Sequence, residues 1–125
     1  MITLQNWMSK PVVTAKPDDI AYAGVKRMVT KGIGDVIIVD KDKKPIGILT
    51  ERDVLKRGII EGRDLKKVKI KDIMTKRVKT VDINTSLLKV SSTMEKGNFR
   101  RVPVTKAGKL VGIVTSKDLV RFMSL

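Results

Sequence analysis

The sequence of 125 residues contains no cysteine and no histidine. The first absence excludes disulfides, thiolate catalysis and cysteine-ligated metal, and the second removes the commonest general base and metal ligand. An enzyme would have to work with Asp, Glu and Lys alone, so we predict a non-catalytic protein without a metal site. Aromatic residues make up only 3% of the chain, which is few for a surface that stacks on single-stranded bases.

Long apolar runs are also absent, since none approaches the roughly 20 residues that a membrane helix needs. The N-terminus lacks the basic start and long apolar centre of a signal peptide, so we expect a cytoplasmic protein with no membrane partner. The 27 Lys and Arg outnumber the 13 Asp and Glu and give a net charge of +14. This excess favours anionic partners such as nucleotides, nucleic acid or an acidic surface, although a solvated lysine surface would explain it as well.

Most of the chain is an internal repeat. Met8 matches Met74 at a shift of 66 positions, and Met28 falls on Met94 at the same shift. A gap of one residue placed near Lys31 changes the shift to 65 for the rest of the repeat. With that gap, identical residues of the two copies are aligned: Gly32 with Gly97, Val39 with Val104 and Gly47 with Gly112.

The repeat predicts two domains of similar sequence, at residues 4–57 and 70–123. Residues 58–69 are interpreted as a linker because of their glycines and charges. Pieces of roughly 60 residues are marginal alone, so the two copies are expected to pair.

Each copy predicts the order strand, helix, strand, strand, helix, and hence an α/β (α+β) fold. The expected caps of the first helix in each copy are Asp18 and Asn84, and its expected ends are Gly32 and Gly97. The second helices are predicted from about residue 51 to 57 and from about 116 to 123. Side chains read as core are Trp7, Met8, Met28, Met74 and Met94.

A heptad occurs at the last strand-to-helix junction of both copies: Gly47-Ile48-Leu49-Thr50-Glu51-Arg52-Asp53 and Gly112-Ile113-Val114-Thr115-Ser116-Lys117-Asp118. A glycine there lets a flat ring or another backbone approach closely. The aspartate offers two acceptor oxygens, which match the two neighbouring hydroxyls of a ribose. A threonine at a helix start lies beside free N–H groups that favour a phosphate.

The same heptad also has a purely structural interpretation. A hydroxyl followed three residues later by an acid is a capping box, which stabilises a helix by about 1 kcal/mol. The two interpretations are compatible because a carboxylate has spare lone pairs. The duplication favours ligand binding for at least one of the two copies.

Several features together resemble the CBS domain family, and the tandem resembles a CBS pair, or Bateman module. They are the Asp72-Ile73-Met74-Thr75 opening, the Arg101-Val102-Pro103-Val104 strand and the duplicated Gly-Ile-x-Thr-x-x-Asp pattern. The resemblance implies that the copies pack through their sheets with pseudo-two-fold symmetry, leaving two clefts between them. It also implies that two pairs associate into a disc-like homodimer.

The resemblance further implies roles for particular residues. It places the matching aspartates, Asp53 and Asp118, on a ribose and the threonines, Thr50 and Thr115, near ribose or phosphate. A basic residue before the x-Pro-Val strand would meet phosphate, and Arg101 matches that position better than its neighbour Arg100. The segments Thr14-Ala15 and Thr80-Val81 would cradle adenine. An extended edge with unpaired N–H and C=O groups can also imitate base pairing to a purine.

The two copies are not equivalent in this interpretation. The first copy carries Asp35-Val36 where a basic residue is expected, and Ile38 is aligned with Pro103. An aspartate repels phosphate, so phosphate binding by the first copy is in doubt. We therefore predict one nucleotide site, at the second copy, and a doubtful one at the first.

The sequence thus predicts a regulatory module that needs no cofactor and binds an adenosine compound such as AMP, ADP, ATP or S-adenosylmethionine. Occupancy would be passed to an effector protein in trans. The alternative is association with nucleic acid through the basic runs at residues 41–44, 66–71 and 100–101. No helix-turn-helix or zinc motif supports that alternative.

Overall fold

The computed structural model describes residues 3–10 and 12–124. In chain order the elements are α1 (Leu4–Trp7), β1 (Thr14–Ala15), α2 (Ala21–Lys31), β2 (Asp35–Val39), β3 (Pro45–Thr50), α3 (Glu51–Asp53), a π-helical segment (Val54–Ile59), a 3-10 turn (Ile70–Asp72), β4 (Val81–Asp82), α4 (Leu87–Gly97), β5 (Arg101–Lys106), β6 (Lys109–Thr115) and α5 (Ser116–Met123). The predicted order of elements is confirmed in both copies. Among the described helices, none is long and apolar enough to cross a membrane.

These elements form two compact units. Residues 13–78 make up the first unit, and the described residues up to Val12 join those from Lys79 onwards in the second unit. Each unit contains one three-stranded sheet, ordered β1-β2-β3 in the first and β4-β5-β6 in the second. In both sheets the outer short strand runs parallel to the central strand, and the last two strands form an antiparallel hairpin. The α+β fold class is confirmed.

Each unit has its own hydrophobic core. Each core also contains side chains from the opening segment of the other repeat copy, which is residues 4–9 in the first copy and 70–75 in the second. Ile70, Ile73 and Met74 are buried in the core of the first unit. Leu4 and Met8 are buried in the core of the second unit. The methionines predicted as core are all buried. Trp7 packs edge-on against the ring of Phe122, with ring centroids 5.3 Å apart.

The cap predicted at Asp18 is wrong, because helix α2 begins three residues later and its N-cap, Ile20, contributes no side-chain hydrogen bond. Its first free N–H groups are satisfied by backbone instead. Ala21 N–H donates to the carbonyl of Val68 and Tyr22 N–H donates to the carbonyl of Leu65, both at 2.8 Å. Residues 58–69, interpreted as a linker, thus include the segment that caps the first helix.

The other predicted ends of the first helices need similar corrections. Helix α4 is capped by Ser86, whose hydroxyl accepts the Lys89 N–H at 3.1 Å, and not by Asn84. Gly32 ends α2 in the left-handed conformation as predicted. In the second copy that position belongs to Asn98 rather than Gly97, because asparagine also tolerates a positive φ, here 54°.

The one-residue gap between the copies lies in the hairpin and not near Lys31. Opposite each heptad threonine the ladder places Asp35 in the first copy and Arg101 in the second. The shift is therefore still 66 at the central strand (101 minus 35) and becomes 65 only at the threonines (115 minus 50). Pro103 consequently corresponds to Ile37 rather than Ile38.

Candidate ligand-binding site

Both heptads close a capping box at the start of the following helix. In the first copy, Thr50 N–H donates to Asp53 Oδ2 at 3.0 Å, and Asp53 N–H donates to Thr50 Oγ1 at 3.1 Å. In the second copy, the corresponding bonds between Thr115 and Asp118 measure 2.9 and 3.2 Å. The capping interpretation is thus confirmed in both copies, and each box leaves one carboxylate oxygen, Oδ1, outside the cap.

The Asp53 carboxylate has further partners in the first unit. Its side chain is only 8% exposed, and Arg57 Nη1 lies 3.9 Å from Oδ1. The Thr75 hydroxyl donates to the same carboxylate, at 3.0 Å from Oδ1 and 3.2 Å from Oδ2. Arg57 Nη1 also donates to the Met74 carbonyl at 2.9 Å. The opening segment of the second copy is therefore fastened to the heptad of the first.

The Asp118 carboxylate is just as buried but accepts fewer hydrogen bonds. Its side chain is 6% exposed, and beyond the cap its Oδ1 faces Arg121 Nη2 at 3.7 Å, which is an ion pair and not a hydrogen bond. Ser9 occupies the place that Thr75 has in the first copy, with backbone bonds to Ile113 of 2.8 and 3.2 Å. Among the described residues, no hydroxyl donates to Asp118.

Protein atoms fill the space beside the heptad glycines. A Cβ added to Gly47 would lie 2.8 Å from the Thr75 carbonyl oxygen and 2.8 Å from the Met74 sulfur. A Cβ added to Gly112 would lie 2.3 Å from the Met8 sulfur. The close approach predicted for these glycines is therefore made by the chain itself, with a backbone in the first copy and a methionine side chain in both.

Arg101 begins β5 directly opposite Thr115 in the antiparallel ladder. Directly opposite residues project to the same face of a sheet, so the arginine side chain starts on the face that carries the heptad hydroxyl. The first copy has Asp35 opposite Thr50 in the same register. Arg100 is exposed and lies outside the strand, where its carbonyl accepts the Ser116 N–H that begins α5, at 2.9 Å.

Pro103 is fully buried within the central strand β5. Proline is unusual there because it cannot donate to a ladder. Its ladder partner Ile113 exchanges both of its backbone bonds with Ser9 on the other side, so β6 requires no N–H from position 103. The hydrogen-bond pattern of the sheet thus accommodates the proline, and its ring lies in the interior of the unit.

The segments expected to cradle adenine lie at the outer strands of their sheets. Ala15 and Val81 are buried in the cores of their units, so they would offer a ligand their backbone. Thr80 precedes β4, and Thr14 belongs to β1. Arg27, which the sequence did not single out, donates from Nη1 to the Thr14 carbonyl. The Thr14 carbonyl, at the edge of the sheet, therefore already has a hydrogen-bond donor.

Part of the basic run at residues 66–71 is engaged within the first unit. Lys71 and Lys69 lie 3.1 and 3.6 Å from Asp18 Oδ1, and the Lys66 ammonium lies 5.2 Å from the centre of the Tyr22 ring. The hydrogen bond and charge of Lys71, with the charge of Lys69, hold the pKa of Asp18 below its ordinary value of 3.8.

A group of three or more metal-ligating side chains does not occur among residues 3–10 and 12–124. The comparison with known proteins nevertheless includes a metal-bound structure. The structure of hypoxic response protein I with two coordinated zinc ions superposes with a TM-score of 0.87 and 30% identity, over 96% of this chain and 98% of that chain. By sequence, hypoxic response protein 1 of Mycobacterium tuberculosis is 30% identical over 123 residues, covering 98% of this chain and 86% of the relative.

A second solved structure is a CBS domain pair in complex with 5′-methylthioadenosine and S-adenosyl-L-methionine. It matches with a TM-score of 0.83 and 31% identity, over 98% of this chain and 96% of that chain. An uncharacterized protein of Methanopyrus kandleri is 34% identical over 113 residues, covering 90% of this chain. The chain spans 58% of that relative and 52% of a mitochondrial CBS domain-containing protein of Arabidopsis thaliana, about half of each.

The sequence model of the CBS domain matches twice, at residues 4–66 and 70–125. Both matches contain a heptad whose geometry is described above, and together they span nearly the whole chain. The chain therefore belongs to the CBS domain family and carries two CBS domains in tandem.

Proposed function

We propose that this CBS pair is a non-catalytic regulatory module that binds an adenosine compound through its second heptad and passes the occupancy of that site to a partner protein. The observation that carries the proposal is the Asp118 carboxylate. It is nearly buried at a helix start, yet its Oδ1 has no hydrogen-bond donor among the described residues. Among the described residues no fully buried side-chain oxygen or nitrogen lacks a hydrogen-bond partner, so Oδ1 is accessible from outside and a ribose hydroxyl could reach it and donate to it.

The neighbourhood of Asp118 suits the other parts of a nucleotide. Arg101 projects from the position opposite Thr115, which favours an anionic group beside the ribose. The backbone of the outer strand at Thr80 and Val81 is the corresponding candidate for the base. Support for the ligand class comes from the related CBS pair that was solved with two adenosyl compounds.

The regulatory step would be a shift of population. A ligand that binds one arrangement of the protein more tightly than another raises the fraction of that arrangement, by no more than its difference in affinity. A partner that recognises the favoured arrangement then responds to the ligand. No cofactor is required for this step.

Calorimetric titration with AMP, ADP, ATP, S-adenosylmethionine and 5′-methylthioadenosine tests the proposal. Binding should be accompanied by thermal stabilisation, about 2.7 kcal/mol when the ligand is at 100 times its Kd. Arg101→Gln should weaken ATP more than uncharged 5′-methylthioadenosine, because only ATP carries phosphate. If none of the five compounds binds at millimolar concentration, the proposal is wrong.

We also propose that two copies of the chain associate through helix faces. In the first unit Val29 is 78% exposed and Ile59 is 57% exposed, and in the second unit Leu88 is 82% exposed and Met123 is 79% exposed. Apolar side chains that are exposed together on neighbouring helices are typical of an interaction surface. Analytical ultracentrifugation should give a dimer that Leu88→Glu converts to monomer, and a monomeric wild type would contradict this proposal.

A further inference from the structure

We infer that Thr75 determines which copy accepts a ribose, because its hydroxyl occupies the Asp53 carboxylate where a ribose hydroxyl would bind. This inference rests on the proposed adenosine-binding function. It adds a residue outside both heptads as the determinant of selectivity between the two copies. It also makes the first copy a site that its own chain keeps closed.

The closing contact is a hydrogen bond from a neutral hydroxyl to a nearly buried carboxylate. Thr75 Oγ1 lies 3.0 Å from Asp53 Oδ1 and 3.2 Å from Oδ2. Oδ2 already accepts the Thr50 N–H of the capping box at 3.0 Å. The hydroxyl of Thr75 therefore covers the oxygen that the cap leaves available, and it has the same donor chemistry as the hydroxyls of a ribose.

The backbone fixes Thr75 in this place. Its N–H donates to the Ile48 carbonyl and its carbonyl accepts the Ile48 N–H, both at 2.9 Å. The preceding carbonyl, that of Met74, accepts Arg57 Nη1 at 2.9 Å. A donor held by its own chain competes with a free ligand at a high effective concentration, since its freedom is already restricted by the fold.

The second copy lacks this contact although its backbone is arranged in the same way. Ser9 forms the equivalent pair of backbone bonds with Ile113, at 2.8 and 3.2 Å. In the described part of the chain, the only hydrogen bond to the Asp118 carboxylate comes from the Thr115 N–H. The hydrogen bonding of the two carboxylates thus differs by one side-chain hydroxyl, and removing it should make the hydrogen bonding of Asp53 resemble that of Asp118.

The test uses the full chain with Asp118→Asn as background, which weakens the second site. AMP and S-adenosylmethionine are titrated by calorimetry into Asp118→Asn and into Asp118→Asn combined with Thr75→Val. Valine keeps the shape of threonine without the donor, so the double variant should bind about tenfold more tightly or better, as expected for a competing hydrogen bond to a charged group. Thr75→Ser keeps the donor and should show no such gain.

Two further measurements complete the test. Ser9→Ala is the matched variant of the second copy and should leave its affinity unchanged. A double-mutant cycle of Thr75→Val and Asp53→Ala, measured by urea unfolding, should show non-additive losses, because each change removes the bond between the Thr75 hydroxyl and the Asp53 carboxylate. Thr75→Ala replaces Thr75→Val if the valine variant does not fold.

The outcomes separate this inference from the proposed function. If the wild type binds an adenosine compound but the double variant gains nothing over Asp118→Asn, Thr75 is only structural and the inference is wrong. Additive losses in the unfolding cycle also overturn it, whatever the ligand does. If the wild type binds none of the five adenosine compounds, the proposed function is wrong, and the inference that rests on it is wrong as well.

Discussion

The two heptads have the same local fold, but the residues around them differ. Their capping boxes agree within 0.1 Å, with bonds of 3.0 and 3.1 Å in the first copy and 2.9 and 3.2 Å in the second. The differences begin outside the motif, with a hydroxyl on Asp53 but none on Asp118, and with Asp35 where the second copy has Arg101. The motif is sufficient for the local fold, whereas the proposed difference in ligand binding would depend on residues outside the motif.

The largest expected effect tests this difference directly. Asp118→Ala should weaken adenosine binding by about tenfold to a hundredfold, because a charge-assisted hydrogen bond contributes roughly 1.5 to 3 kcal/mol. Asp53→Ala should change the affinity far less. Calorimetric titration of both variants measures the ranking, and a greater loss from Asp53→Ala would contradict the assignment of the site to the second copy.

Substitution of the heptad glycines should have the larger effect in the first copy, and the effect should be on stability. Gly47→Ala places a Cβ against the Thr75 backbone carbonyl, which is held by the bridge to Ile48, so it should lower the free energy of unfolding by about 2 kcal/mol. Gly112→Ala meets only the Met8 side chain, which can change rotamer, and should cost less. Urea unfolding compares the two, and equal losses would show that Met8 is as rigid as the backbone.

The threonines should behave alike. Thr50→Ala and Thr115→Ala each remove one bond of a capping box and should each cost about 1 kcal/mol of stability. Thermal or urea unfolding gives both values. A clear inequality would mean that the copies differ within the capping box as well as outside it.

The smallest effect concerns a contact that only the first copy has. Asp18 pairs with Lys71 and Lys69, which lowers its pKa in the folded protein, so its stabilisation is present at neutral pH and disappears as the pH falls through that lowered pKa. Asp18→Asn should therefore reduce stability slightly at pH 7 and not at acidic pH. Its counterpart Asn84 supplies the control, since Asn84→Ala should show no such dependence on pH.

Local patterns were sufficient to predict much of the fold. The order of elements, both capping boxes and the buried methionines follow from residue spacing and type over a few positions. The position of the one-residue gap was missed, because glycine and asparagine both end a helix in the left-handed conformation and residue identity favoured Gly97 over Asn98. Only the ladder shows that Asp35 and Arg101 occupy the same place.

The missed features are contacts between segments far apart in sequence. Asp18 looked like a cap, but carbonyls from residues 65 and 68 satisfy the start of α2. Thr75 lies 22 positions from Asp53, and no local pattern connects them. One signal was available, since a hydroxyl follows the opening methionine in both copies, as Ser9 and Thr75.

The exchanged opening segments set an order for folding during synthesis. Chains emerge from the ribosome N-terminus first, and compact units fold as they become complete. The unit of residues 13–78 is complete once residue 78 has emerged, whereas Leu4 and Met8 belong to a core whose other members follow residue 78. Leu4 and Met8 are therefore made before the unit of residues 13–78 but are buried after it, and the nascent chain carries them as exposed apolar side chains while that unit folds.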